Sequence, residues 1–195
     1  MNFSYVALVM IIYLEEIMKI LCFGDSNTYG YHAGGGRIED NYPRLLESEK
    51  YQTINEGVCG RTTNCLGSFI KAIQQPHELT IIMLGTNDLS SIGGYSIDRI
   101  IMQLEELIVL EKEKILLLIP PYIHYECVVG WDYPIDVFDQ SKKLENAMIQ
   151  LAIKHHIDYL SMKDDLDMDK DGIHLTLRGH QQLAQKINDY LHHYA

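Results

Sequence analysis

Five short apolar runs, separated by helical patterns or by polar loops, constrain this chain more than any other feature. They are "KILCF" (19–23), "YQTIN" (51–55), "LTIIML" (79–84), "KILLLIP" (114–120) and "IDYL" (157–160). Each is a few residues long, partly β-branched and bounded by Gly, Asn, Pro or Asp, which is how strands read. The central runs show no polar alternation, so they predict strands buried on both faces. Between the strands, Ile97, Ile100, Ile101, Leu104, Leu107 and Ile108 recur at helical spacing behind Ser96 as N-cap. Leu144, Ala147, Met148 and Leu151 repeat the pattern after Asp139, and Leu183, Ala184, Ile187 and Leu191 repeat it behind Thr176. Strands that alternate with helices require crossovers, and the near-uniform hand of crossovers predicts a doubly wound parallel sheet with helices on both faces. The expected fold is therefore α/β, a three-layer α/β/α sandwich around five parallel strands. In such sheets the loops beyond the C-terminal ends of the strands line the ligand crevice.

Those loops carry small polar residues. Strand one runs into "GDSNTYGYHAGGGRIEDN", strand two into "NEGVCGRTT", strand three into "GTNDL" and the last strand into "DDLDMDKDGIHLT". Singly, each reads equally well as a plain loop. Together and in this order, "ILCFGDSNTYG", "EGVCGRTT", "IIMLGTND" and "DGIH" resemble the SGNH hydrolases, also called the GDSL esterase and lipase family. Within that family they look most like the bacterial branch of small arylesterases and acyl transferases. The resemblance covers residues 18–195 as one domain and implies a flavodoxin-like strand order. It implies Ser26 as nucleophile, Asp171 and His174 as the rest of a triad, and an oxyanion hole formed by the Ser26 backbone N–H, Gly60 and Asn87. Gly60 is chosen over Gly57 because the family's glycine lies several residues past the strand-ending Asn, here Asn55. No cofactor and no metal are expected.

The chemistry of ester cleavage fits these residue types. A serine hydroxyl is a poor nucleophile at neutral pH unless a base removes its proton during attack, and an imidazole such as that of His174 has a suitable pKa. Asp171, three residues earlier, can accept a hydrogen bond from the other ring nitrogen and stabilise the imidazolium, with Gly172 allowing the tight turn. Donors already aimed at the developing oxyanion lower the barrier by about 3 kcal/mol each. "GDSNT" is not the G-x-S-x-G elbow of the α/β-hydrolases, because the second glycine is missing and the acid lies beside the histidine.

Plainer readings compete at several positions. Ser26 alone is an ordinary helix N-cap, and Asp25 reads as a structural acceptor around the turn, although it adjoins the pocket. Asp167, Asp169, Asp171 and Gly172 match the opening of an EF-hand calcium loop, a binding-module alternative, but Arg178 stands where a bidentate Glu belongs. "HAGGGR" (32–37) lacks the G-K-[ST] ending of a P-loop and reads as a loop. Arg37 and Arg61 either face the crevice or pair with surplus carboxylates. Cys59, beside Gly60, reads as pocket wall or packing residue, with no base at a motif position next to it.

The stretch "PPYIHYECVVGWDYPIDVF" (120–138) supplies Tyr122, Tyr125, Trp131, Tyr133 and Phe138 to the same end of the sheet. Aromatics closing over the crevice, Tyr122 and Trp131 among them, predict a short acyl slot and acetyl-type substrates. They also leave open stacking on sugar rings and carbohydrate O-deacetylation, thioester cleavage, or acyl transfer. The expected partner is thus a small-molecule ester. Nucleic acid is not expected, because 27 Asp and Glu against 16 Lys and Arg leave a net charge of -11 and no basic stripe. The sequence leaves a homo-oligomer open. Cys22, Cys59, Cys65 and Cys127 lack any regular spacing, so reduced thiols and a cytoplasmic location are expected.

Residues 1–17, "MNFSYVALVMIIYLEEI", look like the apolar part of a signal peptide, yet no Lys or Arg precedes the apolar run and no small-residue cleavage site follows. The run is also too short to span a membrane, so neither export nor membrane association is expected. Consecutive Glu codons at Glu15 and Glu16 can spell a ribosome-binding sequence ahead of Met18. On that reading translation starts at Met18 and residues 1–17 are a non-native extension; otherwise they form an added helix.

Overall fold

The computed structural model describes residues 17–91, 93–128 and 131–194; the readings made for residues 1–16 lie outside them. All five apolar runs are strands: β1 (Met18–Gly24), β2 (Tyr51–Gly57), β3 (Leu79–Met83), β4 (Lys114–Pro121) and β5 (Asp158–Lys163). Every pairing is parallel and the order across the sheet is β2-β1-β3-β4-β5. This flavodoxin-like order reverses direction at β1, which opens a crevice between the C-terminal ends of β1 and β3. The register keeps that rim level, because Gly24 of β1 pairs with Gly57 of β2 on one side and Met83 of β3 on the other.

Alternation along the strands divides the apolar side chains between two cores. Leu21, Phe23, Ile82, Leu117 and Ile119 face three helices: α3 (Leu66–Ala72), α4 (Ile97–Leu110) and α5 (Val137–His155). Ile20, Cys22, Ile81, Met83, Leu116 and Leu118 face the opposite way, toward α2 (Tyr42–Leu46) and α6 (Leu177–Tyr194). Each layer is fully lined, and burying one such aliphatic side chain contributes roughly 1.5–3 kcal/mol.

Helix boundaries follow their caps. Ser96 accepts from the Arg99 N–H at the start of α4, and the Thr176 hydroxyl accepts from the Gly179 N–H at the start of α6. Helix α5 begins at Val137, one residue past Asp136, so Asp139 lies in its first turn and not ahead of it. Three short helices escape the periodicity reading: α2, α3 and α1 (Ser26–Tyr29), none longer than seven residues. Two turns or fewer leave no measurable 3.6-residue period.

Candidate active site

Strand β1 ends at Gly24, Asp25 caps the next turn, and Ser26 opens α1. The Asp25 carboxylate accepts from the Asn27 N–H at 2.9 Å, which fixes the turn that presents Ser26 to the crevice. Helix α1 rests against the end of β2, where a Cβ on Gly57 would sit 2.1 Å from the Tyr29 nitrogen. Gly57 is thus consumed by packing, while Gly60, three residues on, lines the open crevice.

His174 comes from the loop between β5 and α6. Its Nε2 lies 3.0 Å from Ser26 Oγ, and its Nδ1 lies 2.7 Å from Asp171 Oδ2. Gly172, at φ +68°, turns the chain so that Asp171 reaches back, and Asp171 Oδ1 also accepts from the Ile173 and His174 N–H groups at 3.1 Å each. Burial opposes charge on Asp171, but bonds from the His174 ring and from these backbone groups outweigh it and hold the carboxyl below the usual range. An ionised Asp171 facing Nδ1 requires the proton there, which leaves Nε2 free to take the Ser26 proton.

Asn87 follows β3. Its Nδ2 donates to the Arg61 carbonyl at 3.0 Å and makes a long approach of 3.5 Å to Asp25 Oδ2. The loop carrying Gly60 is tied to the same turn by Asp88, whose carboxylate accepts from the Thr63 N–H at 3.0 Å and from the Thr63 hydroxyl. Two consecutive residues after β3 therefore hold the loop after β2.

Ser26, Gly60, Asn87 and His174 share one cavity of about 280 Å³ with Tyr31, Cys59, Trp131, Tyr133 and Ile173. The rings of Tyr31 and Trp131 meet the His174 imidazole at 4.7 and 5.7 Å between centroids, both near edge-to-face. Tyr133 is buried, and its hydroxyl donates to the Thr86 carbonyl at 3.3 Å. Trp131 stands 46% exposed at the mouth.

Three residues named from the sequence do not reach this wall. Tyr122 turns away: its hydroxyl donates to the buried Glu145 and its ring packs edge-on against Phe138. Arg61 is folded inward, donating to the Gly24 carbonyl at 2.9 Å and to the Glu56 carbonyl, with its guanidinium 4.0 Å above the Phe23 ring. It serves the site through its own carbonyl, which holds Asn87. Asp25 is buried beneath the site, and burial pushes its carboxyl up to about 7 despite the bond from Asn27. Arg37 is held by the carbonyl and the ring of Tyr29.

The acidic run before His174 diverges. Asp167 accepts from the Thr176 hydroxyl, Asp169 from the Ala33 and Lys170 N–H groups, and Asp171 from His174. Among the described residues no group of three or more His, Cys, Asp or Glu is placed to hold a metal ion. All four cysteines are free, and Cys59 lies on the cavity wall. No described helix is long and apolar enough to cross a membrane.

Sequence reasoning missed Tyr31, Ile173 and Asn27. Tyr31 follows Gly30, the left-handed C-cap of α1, and a glycine after a helix pattern signals that the chain turns back there. Ile173 sits between two polar residues whose roles draw attention away from it. The Asn27 side chain donates to the Ile173 carbonyl at 3.0 Å and accepts from the Leu175 N–H at 2.9 Å. No sequence signal announces that bridge.

A parallel sheet of this order with these four loops at its rim defines an ester hydrolase of the SGNH type. The chain belongs to the GDSL-like lipase/acylhydrolase family, whose model matches residues 22–182. A comparison with curated protein sequences gave no match. Solved structures that resemble it include a carbohydrate acetylesterase from Sinorhizobium meliloti, 24% identical over 91% of this chain and 100% of that one, with a TM-score of 0.78. The aryl esterase of M. smegmatis is 22% identical over 90% and 98% of the two chains, with a TM-score of 0.74. A lipase/acylhydrolase from Enterococcus faecalis is 23% identical over 90% and 95%, with a TM-score of 0.77. At these identities the likeness is one of fold.

Proposed function

We propose that this protein is a serine esterase that cleaves short-chain, acetyl-type carboxylic esters through an acyl-enzyme on Ser26. The observation that carries the reading is the continuous line from Ser26 Oγ to His174 Nε2 at 3.0 Å and from His174 Nδ1 to Asp171 at 2.7 Å. Ser26 Oγ attacks the ester carbon while its proton passes to Nε2, and the carbonyl oxygen becomes an oxyanion facing the N–H groups of Ser26 and Gly60 and the amide of Asn87. The C–O bond to the alcohol then breaks, and Nε2 returns the proton to the leaving oxygen. Water repeats the sequence, releasing the acid and regenerating Ser26. The cavity supports a short acyl group, because Tyr133 and Ile173 are buried within its lining.

The test is hydrolysis of p-nitrophenyl acetate at mildly alkaline pH, followed by labelling with an organophosphonate probe and peptide mapping. Wild type should be labelled on Ser26, and Ser26→Ala should lose several orders of magnitude in kcat while still folding. A Ser26→Ala protein with near-wild-type turnover overturns the assignment.

The exposed face of Trp131 at the cavity mouth favours a second reading, deacetylation of a carbohydrate whose ring stacks there. Acetylated sugars cleaved with a kcat/KM above that of p-nitrophenyl acetate select it. The largely apolar lining is also compatible with acyl transfer to an added alcohol, read directly as the new ester against released acid.

A further inference from the structure

We infer that Asn27 is a positioning residue that holds His174 at its working distance from Ser26. The role rests on the reading of Ser26 as nucleophile. Asn27 is 2% exposed and sits one residue past Ser26 in α1. Its carboxamide spans the backbone on both sides of His174: Nδ2 donates to the Ile173 carbonyl at 3.0 Å, and Oδ1 accepts from the Leu175 N–H at 2.9 Å. The orientation of the amide is set by its partners, since a backbone N–H only donates and a carbonyl only accepts.

The other bonds of this segment shape it from within. The Ile173 and His174 N–H groups go to Asp171, and the His174 carbonyl accepts from the Asp169 N–H at 2.6 Å. Those contacts fix the loop's own form, and the Ala33 N–H to Asp169 ties its earlier part to the loop after α1 at 3.0 Å. Apart from the Ser26–His174 contact itself, the two Asn27 bonds are the described hydrogen bonds that join α1 to residues 173–175. They connect positions 146 and 148 residues apart in the chain. Because a planar amide makes both, a shift of the loop along or across α1 breaks at least one. The Asn27 backbone N–H is itself held by Asp25, so the clamp has a fixed base. Asn27 is absent from the cavity wall, so it acts through His174 and not on the ester.

The experiment uses the full chain with Asn27→Leu, which keeps the branched heavy-atom skeleton and removes both bonds, and Asn27→Asp, which keeps the bond from Leu175 and sets a second carboxylate oxygen against the Ile173 carbonyl. Folding is checked by thermal melting, then kcat and KM for p-nitrophenyl acetate and the rate of phosphonate labelling of Ser26 are measured. Misplacement of a catalytic group by about 1 Å costs on the order of 100-fold. The expected result is a kcat lower by ~100-fold in Asn27→Leu and ~10-fold in Asn27→Asp, with KM within about threefold and labelling slowed in the same proportion. A folded variant with kcat near that of wild type, or with its loss confined to KM, overturns the positioning role even if its melting temperature falls. Where Asn27→Leu does not fold, Asn27→Asp decides alone. Wild type that is neither active nor labelled at Ser26 removes the esterase reading and this role together; labelled, active wild type beside fully active variants removes only this role.

Discussion

The side-chain amide of Asn87 donates to the backbone carbonyl of Arg61 across 3.0 Å, so the residue after β3 is oriented by the loop after β2. One amide hydrogen is spent on that bond. The other makes only the long approach to Asp25, so on the proposed mechanism it is the hydrogen available to an oxyanion. Asn87→Ala should therefore lower kcat by ~100- to 1,000-fold with little change in KM, because the bond it removes is strongest in the transition state. Steady-state kinetics on p-nitrophenyl acetate measure it; a loss borne by KM alone contradicts a role in the hole.

Asp171→Asn tests tautomer control. An amide nitrogen facing Nδ1 would move the imidazole proton to Nε2, where it cannot accept from Ser26. A fall of ~10,000-fold in kcat near neutral pH is expected. The variant also weakens bonds to the Ile173 and His174 N–H groups, so melting should be recorded alongside activity.

Tyr133 bounds the cavity with a ring pinned by the Thr86 carbonyl. Tyr133→Ala should lengthen the slot, raising kcat/KM for butyryl and hexanoyl esters relative to acetyl by about fourfold for each methylene buried. Tyr133→Phe keeps the ring and should keep the acetyl preference. Equal chain-length profiles in all three proteins would place the acyl group elsewhere.

Asp25 gives a pH-dependent stability of known sign. Burial raises its folded-state pKa to about 7 from a usual value of 3.8. The unfolded chain therefore releases this proton from about pH 4 upward, while the folded chain keeps it until about pH 7. Stability from this group falls across that window and is level above it. Asp25→Asn lacks the titration, so its stability relative to wild type should rise between pH 4 and 7, by on the order of 3 kcal/mol. Urea melts at both ends of the window measure it, and a constant difference refutes the assignment.

The strands were legible because their apolar runs stop at Gly, Asn, Pro or Asp; the parallel, doubly wound form followed from alternation with helices, and the strand order from the family resemblance. The four rim loops were legible through motif residues that follow the strands in the family's order. Legibility failed where orientation depends on partners distant in the chain. Tyr122 and Trp131 lie in one aromatic stretch, yet Glu145 and Phe138 draw Tyr122 away while Trp131 meets His174. Arg61 read as facing the crevice or pairing with a carboxylate, and the Phe23 ring beneath it carries no local trace of that contact. Asn27 drew no reading of its own, because its two partners lie beyond position 170.

Ser26 sits at the end of the sheet's first strand, whereas His174 follows its fifth, and 148 residues separate them. On the proposed mechanism the alcohol has its base only when β5 and the loop after it are seated at the far side of the same sheet, so turnover reports that the two ends of the chain have come together.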